Sequence, residues 1–524
     1  MRKLRIGIID ILGRKPISTV YARVMRANFA SIMPQVLAVW CEAEGHDVFL
    51  AYHNSYQTMT EPLPEKLDVV FISSFTQSAQ VAYALSNLFR TKGALTVLGG
   101  PHARSYPEDT AKYFDYVLGF TDQQVVNNVL QDLTQHRPLG MYLSATQQPK
   151  QLPGVRQRWK YIDRILQKAP WLKMVAAIGS FGCPYTCHFC TDSTVPYQPL
   201  DFEEIKADLR FLLKTFKSPI VAWHDPNFGV RFNDYLSAIE EAAPPGSIRF
   251  IAESSLSLLN EDNIKRLKKN GFLAILPGIE SWYEMGYKTR AGKRNGLEKV
   301  HQVADQINTI LGHLSYLQSN LILGLDCDYG SEPFELTKHY LDLTPGNIPG
   351  FSVLTSFGRS APVNLEYQRQ NRILPIPFHF LNNNTMNIRP KHYTWIEFYN
   401  LTIDLREYAF SYPMIYKRVS ATKSPTPKLI KLFQSLSDRS KVKYLKEVRR
   451  RLEEDKQFCA FFEQETEEIP VFFVEQIKKD LGPLWEWLPE GALYHDAYAY
   501  LKTENTPDPD LVRVSRSQLP PRSS

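Results

Sequence analysis

Cysteine is scarce in this chain, six in 524 residues. Three of the six, Cys41, Cys327 and Cys459, stand alone. That excludes a secreted scaffold knitted by disulfides, which pairs many closely spaced cysteines. Long apolar runs are absent as well, and none approaches the roughly 18 residues of a membrane span. The basic start Met1-Arg-Lys-Leu-Arg5 leads into an apolar stretch that Asp10 breaks, too short for an export signal. A cytoplasmic protein without membrane association is expected. Charge of one sign is lacking too. A net +6 over 524 residues gives no reason to expect a nucleic acid partner. The densest basic run, Lys441 to Arg451, alternates with apolar residues and precedes Glu453, Glu454 and Asp455, which is the pattern of a solvated helix face. No repeat of solenoid period is present.

What remains is globular. Hydrophobic content of 44% and charged content of 22% are ordinary for a folded protein. The length exceeds one core, so several domains are expected. The most informative run is Cys183-Pro-Tyr-Thr-Cys187-His-Phe-Cys190. Three thiolates hold three irons of a cubane four-iron four-sulfur cluster and leave the fourth iron open to a substrate or cofactor. Zinc also takes thiolates. A structural zinc site, however, closes with four ligands, usually in two pairs. The isolated cysteines supply no second pair, and His188 is cramped beside Cys187.

This run, C-x3-C-x2-C with an aromatic before the last cysteine, resembles the signature of the radical S-adenosylmethionine (SAM) superfamily. The flanks agree. Met174 to Gly182 reads as a strand entering a loop, and Phe202 to Phe216 as a helix. His224-Asp-Pro-Asn227-Phe228, Gly278-Ile-Glu280-Ser281 and Asn320-Leu-Ile-Leu-Gly324 resemble elements that follow in order in many members. Strands alternate with helices from about 172 to 345, the pattern of parallel β/α units. Functional groups in such barrels gather at the C-terminal strand ends, where Asp225, Glu253 and Glu280 are expected. The resemblance implies that Cys183, Cys187 and Cys190 are the catalytic cluster ligands. It also implies that the backbone around Phe189 meets the adenine of SAM. The three carboxylates, as acceptors at strand ends, suit the ammonium and ribose diol of SAM, with helix caps or salt-bridge partners as the alternative.

Residues 5 to 133 alternate strand and helix in the manner of a doubly wound sheet. Leu98-Gly-Gly-Pro-His102, Pro107-Glu108 and Asp115-Tyr-Val resemble the cobalamin-binding domain that precedes many radical SAM cores. In that family Gly99 and Gly100 let the backbone approach the corrin; Pro101, Ser73, Ser74 and Phe75 are expected at the same ligand. Two departures stand out. The D-x-H-x-x-G motif is absent, with Leu12 and Lys15 after Asp10 at the corresponding positions. Gly119-Phe120-Thr121-Asp122 replaces the usual G-E-G-E. His102 is expected to be structural or solvent-facing rather than a cobalt ligand.

Beyond 345, Phe351 to Gly358 resembles the last barrel strand, and Ile388-Arg-Pro-Lys-His392 an element of the C-terminal extension of relatives. Aromatics such as Trp395, Phe398 and Phe462 fall at helical spacing and are expected in a core. The expected architecture is α/β: a Rossmann-like domain over 1–135, a linker over 136–171 containing Pro138, Pro149 and Pro153, and a partial (β/α)6 core over 172–360. A mostly helical domain over 361–505 and a disordered tail over 506–524 follow. The resemblance implies an enzyme that reductively cleaves SAM to a 5′-deoxyadenosyl radical. Cobalamin-dependent methyl transfer, or cyclisation or rearrangement, would follow at an unactivated carbon of a small-molecule substrate. A flavodoxin- or ferredoxin-like protein would donate the electron. The alternatives are a radical SAM enzyme with a vestigial cobalamin domain, and a non-catalytic iron–sulfur protein.

Replacement of Cys183, Cys187 or Cys190 by Ala is expected to abolish SAM cleavage. The same change at Cys41, Cys327 or Cys459 is expected to retain it. Iron content and 5′-deoxyadenosine release measure both, and loss of iron on replacing Cys327 would overturn the ligand assignment.

Overall fold

The computed structural model describes residues 2–13, 31–53, 62–133, 140–168, 173–382 and 384–503. Lys15, Pro138 and the tail 506–524 lie outside the described residues.

The N-terminal sheet has six parallel strands: β1 (Arg5–Ile11), β2 (Asp47–His53), β3 (Val69–Ser73), β4 (Leu95–Gly99), β5 (Tyr116–Leu118) and β6 (Met141–Leu143). Their order is β2-β1-β3-β4-β5-β6, all parallel. The strands are near-continuous apolar runs because both faces are covered. In β1 every residue after Arg5 is buried. The doubly wound expectation holds. Strand β6 lies within the stretch read as a linker; three half-buried residues carry too little pattern to reveal it. After it, helix Val155–Lys168 packs on helix Ile32–Ala43. Its Tyr161 and Ile165 join the N-terminal core, while Ile162 and Leu166 join the larger core beyond. This helix therefore couples the two sheets.

The second sheet is built from β7 (Met174–Ala177), β10 (Ile220–Trp223), β11 (Arg249–Glu253), β12 (Phe272–Leu276), β14 (Tyr316–Leu323) and β15 (Ile348–Val353), parallel and in that order. A short β13 (Gly278–Glu280) continues β12 and pairs with β14. A hairpin of β8 (Ser180–Phe181) and β9 (Gln198–Pro199) projects after β7. Helices follow each strand, and β7 and β15 remain as separate edges. The expected partial barrel is thus an open one. β14 starts four residues before the apolar run that announced it. Its residues alternate half-buried and buried, with Gln318 and Asn320 on the half-buried face.

From Trp395 onward the chain is helical: Trp395–Ala409, Tyr412–Ser420, Pro425–Glu454, Lys456–Phe462 and Val471–Leu481. The first helix starts on a capping box of Thr394 and Glu397. Trp395, Phe398, Tyr399 and Phe462 are core, as their spacing indicated. The last segment returns to the N-terminal domain, where Asn87 donates to the Trp487 carbonyl at 3.0 Å. Arg359 pairs with Glu108, and Ser105 Oγ donates to Ser360 Oγ at 2.9 Å. The three regions therefore form one packed body.

His102 and His495 lie in this seam, both buried. Tyr83 donates to Asp109 at 2.8 Å, so His102 Nε2–H donates to the Tyr83 hydroxyl at 2.7 Å. His495 stacks on Phe378 at 4.1 Å between ring centroids. Burial pushes both imidazoles down to about 3. The unfolded chain, with an ordinary value of 6.5, takes up these protons first. Their stabilising contribution is full above 6.5 and is lost progressively as pH falls toward about 3. Asp10, raised to about 6 by burial, acts in the opposite direction, so the effect is read as a difference between variants. The stability of the native protein relative to His495→Phe should fall on acidification by up to about 1.4 kcal/mol per pH unit. Denaturant unfolding at several pH values checks this, and a pH-independent difference would show that His495 is not held neutral.

Candidate active site

The β8–β9 hairpin forms the neck of the loop carrying all three clustered cysteines. Gly182 at the neck has φ +64°, and a Cβ there would lie 2.3 Å from the Val195 carbonyl oxygen, so only glycine fits. Cys187 is buried; Cys183 and Cys190 are partly exposed. Cys190 N–H donates to the Cys187 carbonyl at 3.0 Å, which curls the loop. The Asp192 amide donates to Cys190 Sγ at 3.4 Å, and the Tyr287 hydroxyl lies 3.3 Å from Cys187 Sγ. Burial pushes the Cys190 thiol up to about 12, with the Asp192 carboxylate and Cys187 adding. Burial also raises Cys183. Metal binding must therefore displace protons from these thiols. Among the described residues no three His, Cys, Asp or Glu side chains are gathered as ligands of a single ion.

Asp225, at the end of β10, is buried and accepts three hydrogen bonds. The donors are Gly179 N–H at 2.6 Å, Ser180 Oγ at 2.7 Å and Tyr235 OH at 2.5 Å. The carboxylate thereby fixes the entrance to the cysteine loop. Asn227 ties the same region to the next strand through Ser255, with contacts of 2.9 and 3.1 Å. Glu253, the last residue of β11, keeps solvent contact although neighbouring protein surrounds much of it. Burial raises it to about 7, with Asp192 and Glu280 adding. Glu280 ends β13 with φ +66°, a left-handed conformation that costs a non-glycine residue about 1–3 kcal/mol. Its carboxylate pairs with Lys288 at 2.6 Å. Lys288 Nζ also lies 5.7 Å from the centroid of the Phe189 ring. Burial alone would lower this ammonium, but Glu280, Cys187 and Cys190 outweigh it and raise it. The three carboxylates are thus near the cysteine loop, with Asp225 and Glu280 engaged by the protein and Glu253 the freest.

On the N-terminal side, register aligns the expected corrin contacts. Ser73 pairs with Asp10 on one side and with Gly99 on the other. Ser73, Gly99, Gly100 and Pro101 line a cavity of about 280 Å³ at the carboxyl ends of the strands, whose opposite wall includes Ser180, Gly182 and Asp192. Gly100 has φ +92° and packs tightly on Ser74, whereas a Cβ on Gly99 would enter open space. That cradle and its mostly apolar walls fit a large flat ligand approaching the backbone. Ser74 is buried, and its hydroxyl donates to the Phe75 carbonyl. Phe75 projects into a second cavity. His102 is structural, as expected. Phe120, in place of the usual glutamate, receives the Arg104 guanidinium at 5.5 Å.

The second cavity, about 620 Å³, lies on the inner side of β14 and β15. Gln318, Asn320 and Gly350 line it from the sheet, Arg406 and Lys441 from the C-terminal helices. Pro101, Arg104 and Asp192 border both cavities. Arg104 and Asp192 face each other electrostatically there, Arg104 opposing the rise that burial imposes on Asp192. Arg104, Asp192 and the residues of the inner lining escaped sequence reading. Lone polar residues on strands and a lysine in a solvated run give no signal; only the half-buried alternation in β14 points inward.

Asp225→Ala would orphan three buried donors, at about 1–3 kcal/mol for each left unsatisfied. Lower iron incorporation with an intact secondary structure is expected, and Tyr235→Phe should be milder. Normal iron in Asp225→Ala would show that the neck does not depend on this carboxylate.

Comparison with known proteins agrees with this geometry. Residues 178–311 match the radical SAM superfamily. Bacteriochlorophyllide d C-12(1)-methyltransferase of Chlorobaculum tepidum is 22% identical over 298 residues, covering 55% of this chain and 64% of that protein. Bacteriochlorophyllide d C-8(2)-methyltransferase of the same organism is 25% identical over 259 residues, covering 45% and 55%. The chain thus spans less than two thirds of the length of either relative. Among solved structures, the apo form of the cobalamin-dependent SAM radical enzyme OxsB superposes with a TM-score of 0.55 at 13% identity, covering 93% of this chain and 79% of that one. The radical SAM methyltransferase TsrM of Kitasatospora setae, with tryptophan and a SAM analogue, gives 0.54 at 11% identity, covering 86% and 99%. Residues 178–311 thus resemble the radical SAM superfamily, and the chain shares its fold with OxsB and TsrM.

Proposed function

We propose that this protein is a cobalamin-dependent radical SAM methyltransferase acting on an unactivated carbon of a small organic substrate. The observation that carries the reading is the shared boundary of the two cavities. The turn after the cluster cysteines, the glycine-lined strand ends and the barrel interior meet at Pro101, Arg104 and Asp192. Methyl transfer, rather than cyclisation or rearrangement, is favoured by the two curated relatives, both named methyltransferases. Bound here, a cluster with SAM supplies a 5′-deoxyadenosyl radical, and a corrin supplies a transferable methyl group.

The chain's own residues do the rest. Cys183, Cys187 and Cys190 hold the cluster, and Asp225 keeps their loop in place through Gly179 and Ser180. Glu253 offers a carboxylate acceptor to SAM, and the backbone at Phe189 its adenine contact. Ser73, Gly99, Gly100 and Pro101 shape the corrin cradle. The helical domain closes the barrel interior and restricts water. The electron comes from a flavodoxin- or ferredoxin-like protein.

The open space at Gly99 favours a bound corrin over a vestigial domain. Protein purified anaerobically with cobalamin should retain corrin absorbance and convert SAM to 5′-deoxyadenosine under reduction. Gly99→Leu should lower corrin retention severalfold and leave iron unchanged. A native protein that binds no corrin, or equal retention in the variant, would favour the vestigial reading. A fully loaded protein that never cleaves SAM, even with candidate substrates, would leave only the non-catalytic one.

A further inference from the structure

The second cavity carries an imbalance of charge that the protein does not resolve by itself. Its helical wall comes from Trp395–Ala409 and Pro425–Glu454, which bring Arg406, Asp438 and Lys441 to the lining; Lys431, on the second of these helices, and Arg418, on Tyr412–Ser420, lie behind it. Arg406, Arg418 and Lys431 are each no more than 2% exposed. Among the described residues, Asp438 is the carboxylate that acts on Arg406 and Arg418; it lines the cavity as well and pairs with Lys441. Buried charge is costly unless paired and hydrogen-bonded.

The cations differ in how they are used. Arg418 gives its donors to the Asn347 and Ala409 carbonyls and to Ser435 Oγ. Lys431 gives its own to the Gly346 carbonyl and Thr422 Oγ1. Both are satisfied by neutral oxygens and set back from the cavity. Arg406 lines the cavity. It donates to the Phe351 carbonyl at 2.9 Å, while its buried Nε has no acceptor. Lys441, half-exposed, lines the same wall.

Beside them runs a relay of amides. Tyr316 OH donates to Gln434 Oε1 at 2.5 Å, Gln434 Nε2 to Gln318 Oε1 at 3.0 Å, and Gln318 Nε2 to Asn320 Oδ1 at 3.0 Å. The relay consumes acceptors and ends on Asn320 as a donor facing the cavity. The cavity lining therefore sets Arg104, Arg406 and Lys441 against Asp192 and Asp438, leaving one positive charge in excess beside the unused Arg406 Nε–H.

We propose that the substrate carries an anionic group, a carboxylate or phosphate, that docks against Arg406 and Lys441 with its polar body along Gln434, Gln318 and Asn320. This rests on the reading of the cavity as the substrate chamber. The rest of the molecule then extends toward Thr191 and Asp192, where the chamber meets the cysteine loop.

The test uses the full chain with reconstituted cluster, under anaerobic conditions and at constant ionic strength in chloride. Benzoate, inorganic phosphate and neutral benzamide are titrated by calorimetry and by thermal midpoint. Saturable binding of benzoate or of phosphate, and none of benzamide, is expected. A response confined to benzoate assigns a carboxylate, and one confined to phosphate assigns a phosphate. Lys441→Ala should weaken the anion about tenfold, as for the loss of one charge-assisted contact, and Arg406→Gln should abolish binding. If Arg406→Gln does not fold cooperatively, Lys441→Ala decides alone. Failure of both anions to bind, equal binding of benzamide, or unchanged affinity in Lys441→Ala would overturn the proposal. SAM cleavage measured on the same preparations separates the two readings. Cleavage without anion binding sinks the substrate class only, and anion binding without cleavage sinks the radical SAM activity only.

Discussion

The site depends on one buried carboxylate. Asp225 gathers the backbone of Gly179, the hydroxyl of Ser180 and the phenol of Tyr235 around itself. Those donors come from the neck of the cysteine loop and from the helix behind β10. The loop bearing the three thiols buries Cys187 and Val195 and packs Phe189 on the core, while its neck is anchored separately. The neck's position is imposed from below, and a carboxylate that accepts three strong hydrogen bonds in a dry environment does this. Burial raises Asp225 above the usual carboxylate range, and its hydrogen bonds offset only part of that rise. The same arrangement places the loop against the strand ends of the neighbouring sheet.

The second constraint is the seam between regions. The N-terminal sheet, the open barrel and the helices share one continuous apolar core. Arg359 with Glu108, Ser105 with Ser360, and the ring cluster of His102, Tyr106, Phe378 and His495 lock the first region to the last. Gly358 is required where the chain passes Ser105, since a Cβ would lie 2.2 Å from its carbonyl oxygen. The fixed seam leaves two cavities side by side with a common wall of Pro101, Arg104 and Asp192. Chemistry that passes from one ligand to another needs such a fixed separation, because small misplacements are costly in rate.

Much of this was legible in one dimension. Near-continuous apolar strands alternating with helices announced both parallel sheets, and the spacing of Cys183, Cys187 and Cys190 announced a cluster loop. Leu98-Gly-Gly-Pro-His102 marked the strand end that lines the first cavity. Other features were not legible. β6 is short and half-buried. β14 began early because its inward face is polar, which interrupts the apolar pattern that signals a strand. Asp225 and Glu280 were recognisable as strand-end acids, but their partners Tyr235 and Lys288 were not. Lys441 was hidden within a run whose other basic residues do form a solvated, ion-paired face: Arg449, Arg450 and Arg451 pair with Glu453, Glu447 and Asp455.

Periodicity and local spacing, which are properties of neighbours along the chain, already encode the α/β architecture, the loop that offers three thiolates and the glycine-bordered strand end. Folding in three dimensions sets which carboxylates remain available, places Arg104 and Asp192 between two cavities, and turns a buried cation with an unused donor toward the larger one. Those outcomes depend on the solvation and charge of groups far apart in sequence, and no local pattern encodes what will surround a side chain once water is excluded.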